Sequence, residues 1–356
     1  MTEARAWLVL TDGFLASREA KTAHGVIRYS QDRIACVLDR DHAGQNLLGV
    51  LPEMGRDAPI VGSVNEALRF QPTSLLLGVA TPGGWIPDHW RAWIIQSIEE
   101  GLEIANGLHG FLRDDPEFAE LAHRRGVRLW DVREPPPDIP LCSGRAAGVP
   151  QRIVLTVGSD CAVGKMTASL ELAASGRAAG IETEFVATGQ TGILIAGRGI
   201  SVDRVIADFL AGAAEKLMLE AAPSSQVVIV EGQGGLWHPA YAAVTLGLLY
   251  GCAPEVLVLC HQAGRTAIEE PPYTVLPPLP EMIAMYETLA ATVRPAKVAC
   301  VALNCRGLPA DFARRAIEET EDVTGLPAGD VLAGEGPRLW GAVNAALSAT
   351  LAPAKK

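Results

Sequence analysis

Apolar residues in this chain come in short runs, not in long stripes. Ala6–Leu10, Ile34–Leu38, Ser74–Ala80, Leu102–Asn106 and Val127–Val132 are compact segments rich in Leu, Ile and Val, separated by stretches of helical pattern. Continuous apolar runs bounded by turn residues fit strands covered on both faces, as in a parallel sheet. Strands alternating with helices require crossovers that return the chain to the same sheet direction. Residues 1–135 therefore read as an α/β domain with a Rossmann-like layout, although no G-x-G-x-x-G follows the first strand.

The pattern breaks between Glu134 and Arg152, where Glu-Pro-Pro-Pro-Asp-Ile-Pro and Cys-Ser-Gly-Arg-Ala-Ala-Gly-Val-Pro can continue neither a helix nor a central strand. Residues 136–151 are expected to be a linker. A second alternation fills 152–350, with strands at Ile153–Val157, Glu184–Ala187, Val227–Val230, Val256–Cys260 and Val298–Leu303. Helices are expected from Lys165 and over Val202–Glu220. This half reads as a P-loop NTPase-like α/β domain with a mostly parallel sheet. Residues 269–280, with five prolines, predict an extended loop that serves as a lid, a subunit arm or an ordinary connection.

Composition narrows the class. At 356 residues two domains are the natural expectation. An apolar content of 49%, with 36 glycines and 24 prolines, suits an α/β enzyme rich in glycine turns. Acidic residues exceed basic ones by 41 to 30, a net charge of −11 with no basic block, which argues against nucleic acid as a partner. No apolar stretch reaches bilayer-spanning length and the N-terminus lacks a signal pattern, so no membrane partner and a cytoplasmic location are expected. Cys36, Cys142, Cys161, Cys252, Cys260, Cys300 and Cys305 never form C-x-x-C, and the seven histidines are dispersed. Reduced thiols and no structural metal follow. Symmetric pairing being common among soluble enzymes, a homodimer is expected.

The chemistry concentrates in Ile153-Val-Leu-Thr-Val-Gly158-Ser159-Asp160-Cys161-Ala162-Val163-Gly164-Lys165-Met166-Thr167, a buried strand, a glycine turn and a helix start. Backbone amides, the helix N-terminus and one ammonium converge there on an anion. Five residues separate the glycines, and Met166 intervenes between Lys165 and Thr167. The second departure displaces the hydroxyl that normally meets magnesium, so phosphate binding survives it better than phosphoryl transfer does.

Glu231 ends an apolar strand and opens Glu-Gly-Gln-Gly-Gly at the carboxyl edge of the sheet, where ligands collect. It is open to three roles: metal ligand, proton acceptor for an amine, or helix cap. His238 follows that loop; His261 and Arg265 follow another strand; Gln190 and Thr191 follow a third. All are candidates to face one cleft with Lys165, and each histidine is equally open to a purely structural place. Lys21 and Arg28, seven apart on one helix face, suit a substrate carboxylate, a partner domain or a solvated surface.

At Gly158-Ser-Asp-Cys-Ala-Val-Gly-Lys-Met-Thr, Ala187-Thr-Gly-Gln-Thr-Gly-Ile-Leu-Ile, Val230-Glu-Gly-Gln-Gly and the later His-Pro-Ala-Tyr, the sequence resembles the D-glutamate N-acetyltransferase family. The likeness extends to Lys21–Tyr29 and Thr81-Pro-Gly-Gly. It implies transfer of acetyl from acetyl-CoA to the amine of D-glutamate, with the loop Gly158–Thr167 on the coenzyme A phosphates. It further implies Glu231, His238 or His261 as base and Arg265, Lys21, Arg28, Gln190 and Thr191 on the substrate. The loop spacing and the Glu-Gly-Gln-Gly segment also resemble dethiobiotin synthetase-like P-loop proteins, which implies the alternative of a ligase or kinase using ATP with Mg. A non-catalytic nucleotide-binding regulator is a third reading.

Overall fold

The computed structural model describes residues 5–81, 86–269 and 274–350, which fall into two compact units. One comprises the chain up to Glu134 together with Gln190–Gly197; the other comprises 135–189 and the chain from Arg198 onward. Pro82–Gly84 and positions 270–273 of the proline-rich segment lie outside the described residues.

The first unit holds β1 (Ala6–Leu10), β2 (Arg33–Leu38), β3 (Ile60–Val61), β4 (Ser74–Leu77), β5 (Glu103–Asn106) and β6 (Leu129–Asp131). Their order is β3-β2-β1-β4-β5-β6, every ladder is parallel, and the chain reverses its direction of travel between β1 and β4. That is the Rossmann-like order expected. The first strand is buried throughout, because both faces are covered. Around the sheet run α1 (Lys21–Tyr29), α2 (Leu47–Val50), α3 (Val64–Ala67), α4 (Asp88–Glu99) and α5 (Pro116–Arg125). The two-residue β3 was not legible as a strand, since no apolar run marks it.

Asp39, just past β2, stands where a dinucleotide-binding fold keeps its ribose acid. Here it is fully buried, accepting from Thr11 Oγ1 and Gly13 N at 3.0 Å and from Leu15 N at 3.3 Å, with His42 Nδ1 at 2.9 Å. Both oxygens thus have partners inside the domain, which agrees with the missing glycine fingerprint.

The second unit holds β7 (Arg152–Gly158), β8 (Thr183–Val186), β9 (Val227–Val230), β10 (Val256–Gln262), β11 (Lys297–Asn304) and β12 (Ala328–Gly329), in the order β12-β11-β10-β7-β9-β8. All its ladders are parallel too. Its helices are α6 (Lys165–Ala178), α8 (Ala207–Leu219), α9 (Ala242–Cys252), α10 (Leu279–Ala291), α11 (Ala310–Thr324) and α12 (Gly336–Ala349); the intervening α7 (Gln190–Ala196) packs with the first unit. The helix expected over Val202–Glu220 splits into a short 3-10 turn, Val202–Arg204, and α8. Among the described residues no helix is long and apolar enough to cross a membrane.

The expected linker is docked, not free. The buried carboxylate of Glu215 on α8 accepts from Ser143 N at 2.8 Å, Ser143 Oγ at 2.9 Å and Arg145 N at 2.6 Å. A turn before it, Gly212 lets Pro140 approach so closely that an added Cβ would lie 1.7 Å from the proline carbonyl oxygen. Gly212→Ala is therefore expected to destabilise the protein by about 1–3 kcal/mol in urea unfolding. Gly341→Ala, on an exposed stretch of α12 with nothing near the new methyl, should be neutral or stabilising by up to ~1 kcal/mol.

Candidate functional site

The loop between β7 and α6 is built by its neighbours. Gly164 adopts φ +103° and Ala162 φ +56°, left-handed conformations of the kind found in backbone turns that gather amides around an anion. Ser159 N donates to Cys260 O at 3.0 Å, and the buried Tyr286 hydroxyl donates to Gly158 O at 2.7 Å. Asp160 is the hub. Its Oδ2 accepts from Arg265 Nη1 at 2.6 Å and Glu269 N at 2.9 Å, and its Oδ1 accepts from Cys161 N at 2.6 Å. With Asp160 fully buried and the Arg265 side chain 11% exposed, this is a desolvated ion pair that fixes the loop's shape.

Lys165 opens α6 with its side chain folded back under the loop. The residue is 7% exposed, and its Nζ makes one hydrogen bond among the described residues, to Asp160 O at 2.7 Å. Burial pushes its pKa down, opposed by Cys161, Cys260, Asp160 and Glu231. An ammonium with three N–H groups, buried and using one, stands ready for an anion.

Glu231 lies beside it, at the end of β9. Gly232 runs so close to β7 that a Cβ there would meet Thr156 O at 1.8 Å and the Lys165 side chain at 3.1 Å. The Glu231 carboxylate is 4% exposed and accepts from Thr188 N at 3.0 Å and Gly189 N at 3.1 Å. Burial pushes its pKa up to about 7, against those two amides, Gln233 and Lys165.

His261 is buried at the end of β10 with Nδ1 2.9 Å from Ser159 Oγ. Burial, helped by Arg265, pushes its pKa down to about 4, so the ring is neutral near pH 7. His238 is 6% exposed, and its Nδ1 accepts from Ala240 N at 3.2 Å, which puts the proton of the neutral ring on Nε2. Asp160, Cys161 and His238 bring ligand-type atoms within 4.8 Å of one another. They suit a cation poorly, because both Asp160 oxygens are engaged and His238 Nδ1 already accepts from Ala240 N.

The second unit thus joins Lys165, Glu231, His238, His261 and Arg265, but commits Arg265 to Asp160. Lys21, Arg28, Gln190 and Thr191 belong to the first unit. There Thr22 and Thr191, second residues of α1 and α7, share a buried hydroxyl hydrogen bond of 3.2 Å, so the two helix starts meet. Lys21 is exposed at that point without a partner among the described residues. Arg28 is elsewhere occupied, donating to Glu53 O at 2.5 Å. Sequence reasoning missed Tyr286, Glu269 and Gln233; a lone tyrosine inside a helix and a backbone amide carry no motif.

A parallel strand, a left-handed glycine loop, a lysine at the following helix start and an acid ending the adjacent strand define this unit as a P-loop α/β domain. The comparisons agree. Residues 140–339 match the P-loop domain of the DUF1611 domain of unknown function, and residues 40–135 match its Rossmann-like N-terminal domain. A D-glutamate N-acetyltransferase from Tritonibacter scottomollicae is 37% identical over 314 residues, 87% of this chain and 90% of that protein. Another of that name, from a Pseudoalteromonas species, is 36% identical over 271 residues, 76% of this chain and 81% of that protein. The crystal structure of a DUF1611 family protein from Anabaena variabilis superposes with a TM-score of 0.90 at 38% identity, covering 96% of this chain and 99% of that one. The chain belongs to this family of two-domain D-glutamate N-acetyltransferase relatives, and it is an enzyme.

Asp160→Ala, which leaves the Arg265 guanidinium buried without its carboxylate, should lower stability by about 3 kcal/mol in urea unfolding. Tyr286→Phe, which removes one hydrogen bond to the loop, should cost about 1 kcal/mol.

Proposed function

We propose that the protein transfers acetyl from acetyl-CoA to the amino group of D-glutamate, and that the loop Gly158–Thr167 grips the phosphates of the donor. The observation that carries this reading is Lys165, a buried ammonium with one hydrogen bond, set among loop amides at a helix N-terminus. The named activity of relatives spanning most of the chain supports the reaction. Coenzyme A offers a pyrophosphate and a 3′-phosphate, which such a loop holds without hydrolysing anything.

The length of the donor assigns roles. About thirteen bonds separate its pyrophosphate from its sulfur, a reach of roughly 15 Å when extended. Glu231, adjacent to Lys165, belongs with the phosphates in this reading, and so do Ser159, His261 and His238. The amine's proton then leaves at the far end of the donor. Glu231 acts on the anion: neutral in acid, it spares the phosphates a like charge, and ionised, it repels them. In the first unit, Lys21 beside the N-terminus of α1, with Gln190 and Thr191 at the start of α7, supplies donors suited to the carboxylates of the acceptor.

Thiol release from acetyl-CoA with D-glutamate, with acetylated product identified by mass, tests the reaction. Turnover by the wild type is expected; no acetylation of any amino acid would overturn the proposal. Lys165→Ala should raise KM for acetyl-CoA by about tenfold or more, and Lys21→Ala should raise KM for D-glutamate while leaving that for acetyl-CoA alone.

The pH dependence has a definite sign. Glu231 loses its proton as pH rises through about 7, so KM for acetyl-CoA should rise across that range. Deprotonation of Lys165, whose pKa burial lowers, acts in the same direction. Glu231→Gln should flatten the rise near pH 7 and keep kcat; a collapse of kcat with KM unchanged would instead make Glu231 the base.

A further inference from the structure

Under the proposed reading Glu231, His238 and His261 belong with the donor's phosphates, so the proton of the attacking amine needs another acceptor. The first unit offers one at the carboxyl edge of its own sheet. There the chain reverses its direction of travel between β1 and β4, and the crevice outside such a reversal is where open α/β sheets take their ligands. The loop after β1 runs to Lys21, the first residue of α1, and His89 is the second residue of α4, the helix that follows β4. Ala23 N donates to Gly78 O at 2.9 Å, which ties the first turn of α1 to the end of β4.

At this edge His89 meets Asp12, two residues past β1. Asp12 is buried, and its Oδ2 lies 2.8 Å from His89 Nε2. The same carboxylate accepts from Arg40 Nε and Nη2 at 2.8 Å, from Arg40 N at 3.3 Å and from Trp90 Nε1 at 3.4 Å. Burial raises its pKa, but the hydrogen bonds from Arg40 and His89 outweigh burial and hold it below the ordinary value, so Asp12 is ionised near pH 7. A carboxylate accepts and does not donate, so the ring proton of neutral His89 sits on Nε2. Its Nδ1 then carries a lone pair and makes no hydrogen bond among the described residues. Trp90 and Trp93 stand edge-on to the ring, with centroids 6.2 and 5.7 Å away, and restrain its plane. The side chain is nonetheless 48% exposed, within reach of a substrate. His42 makes a similar pair with Asp39, but it follows β2, one strand removed from the reversal, and is 27% exposed.

We propose that His89 is the general base that takes the proton of the D-glutamate amine, with buried Asp12 as the positioning residue that fixes its tautomer. The nitrogen of the free amine bonds to the acetyl carbon, and the carbon–sulfur bond breaks with its electron pair going to sulfur. The proton released by nitrogen passes to His89 Nδ1 and from there to the leaving thiolate, so the amide and the CoA thiol are the products. Lys21, at the start of the helix after β1, receives a carboxylate of the same acceptor. The inference rests on the acetyltransferase reading for the reaction, whereas an acceptor site at Asp12 and His89 has a readout of its own.

Two measurements on the intact protein test it. Diethyl pyrocarbonate modifies neutral imidazoles, and peptide mass locates each product. Saturating D-glutamate should slow modification of His89 at least about fivefold and leave His123, exposed on α5, unaffected. Equal rates at His89 with and without D-glutamate, or protection of His42 in its place, would overturn the inference. In the thiol-release assay His89→Ala should lower kcat at least about a hundredfold with KM for acetyl-CoA unchanged, and added imidazole should restore part of it. Asp12→Asn should lower kcat by about tenfold or more with both KM values unchanged, because its amide no longer dictates which ring nitrogen holds the proton. A kcat for His89→Ala within about twofold of the wild type would also remove His89 as the base. Turnover by the wild type with His89 unprotected removes this inference alone. Protection of His89 without turnover removes the acetyltransferase reading and leaves the amino-acid site standing.

Discussion

A desolvated ammonium is the constraint on which the P-loop unit turns. Lys165 has exchanged water for a single backbone carbonyl, a state that the protein sustains only because its surroundings are fixed. Asp160, itself buried, is neutralised by Arg265 and presents its carbonyl to Lys165 while its carboxylate organises the loop. Tyr286 holds the first glycine from a helix more than a hundred residues away. Each contact fixes the loop's shape within the protein itself, so under the proposed reading binding energy need not go into assembling it.

Around that core the charges are balanced by proximity. Glu231 is held by two amides yet driven toward neutrality by burial, while Lys165 is driven toward neutrality from the other side. Both shifts arise from burial, and the attraction between the two groups, brought together where Gly232 lets β9 run close against β7, opposes each of them. The packing of the sheet thus brings acid and ammonium together, and the burial that comes with it is what lifts Glu231 toward neutrality.

Much of this was legible in the sequence, because parallel strands buried on both faces write themselves as apolar runs. The two alternations, the Rossmann-like and P-loop classes, and the loop Gly158–Thr167 could be read that way. The two-residue β3 and β12 could not, since two residues carry no period. The docking of residues 136–151 on Glu215 was hidden because Pro- and Gly-rich composition reads alike for a tether and for a segment held by backbone amides. Arg265 and Arg28 looked like substrate ligands, being cations at strand or helix positions near the motifs. Only coordinates reveal that Asp160 and the Glu53 carbonyl engage them. Conversely, Lys21, Thr22, Gln190 and Thr191 are far apart in sequence, and the 3.2 Å hydroxyl pair that joins α1 to α7 has no local signal.

The central claim is that phosphates, more than the acyl-bearing arm, are what the loop recognises. Titration calorimetry with CoA and with pantetheine, which has the same arm and no phosphate, tests it most directly. The account predicts that CoA binds, that pantetheine binds at least about a hundredfold more weakly, and that Lys165→Ala brings CoA down toward pantetheine. Equal affinities for the two, unaffected by Lys165→Ala, would contradict it.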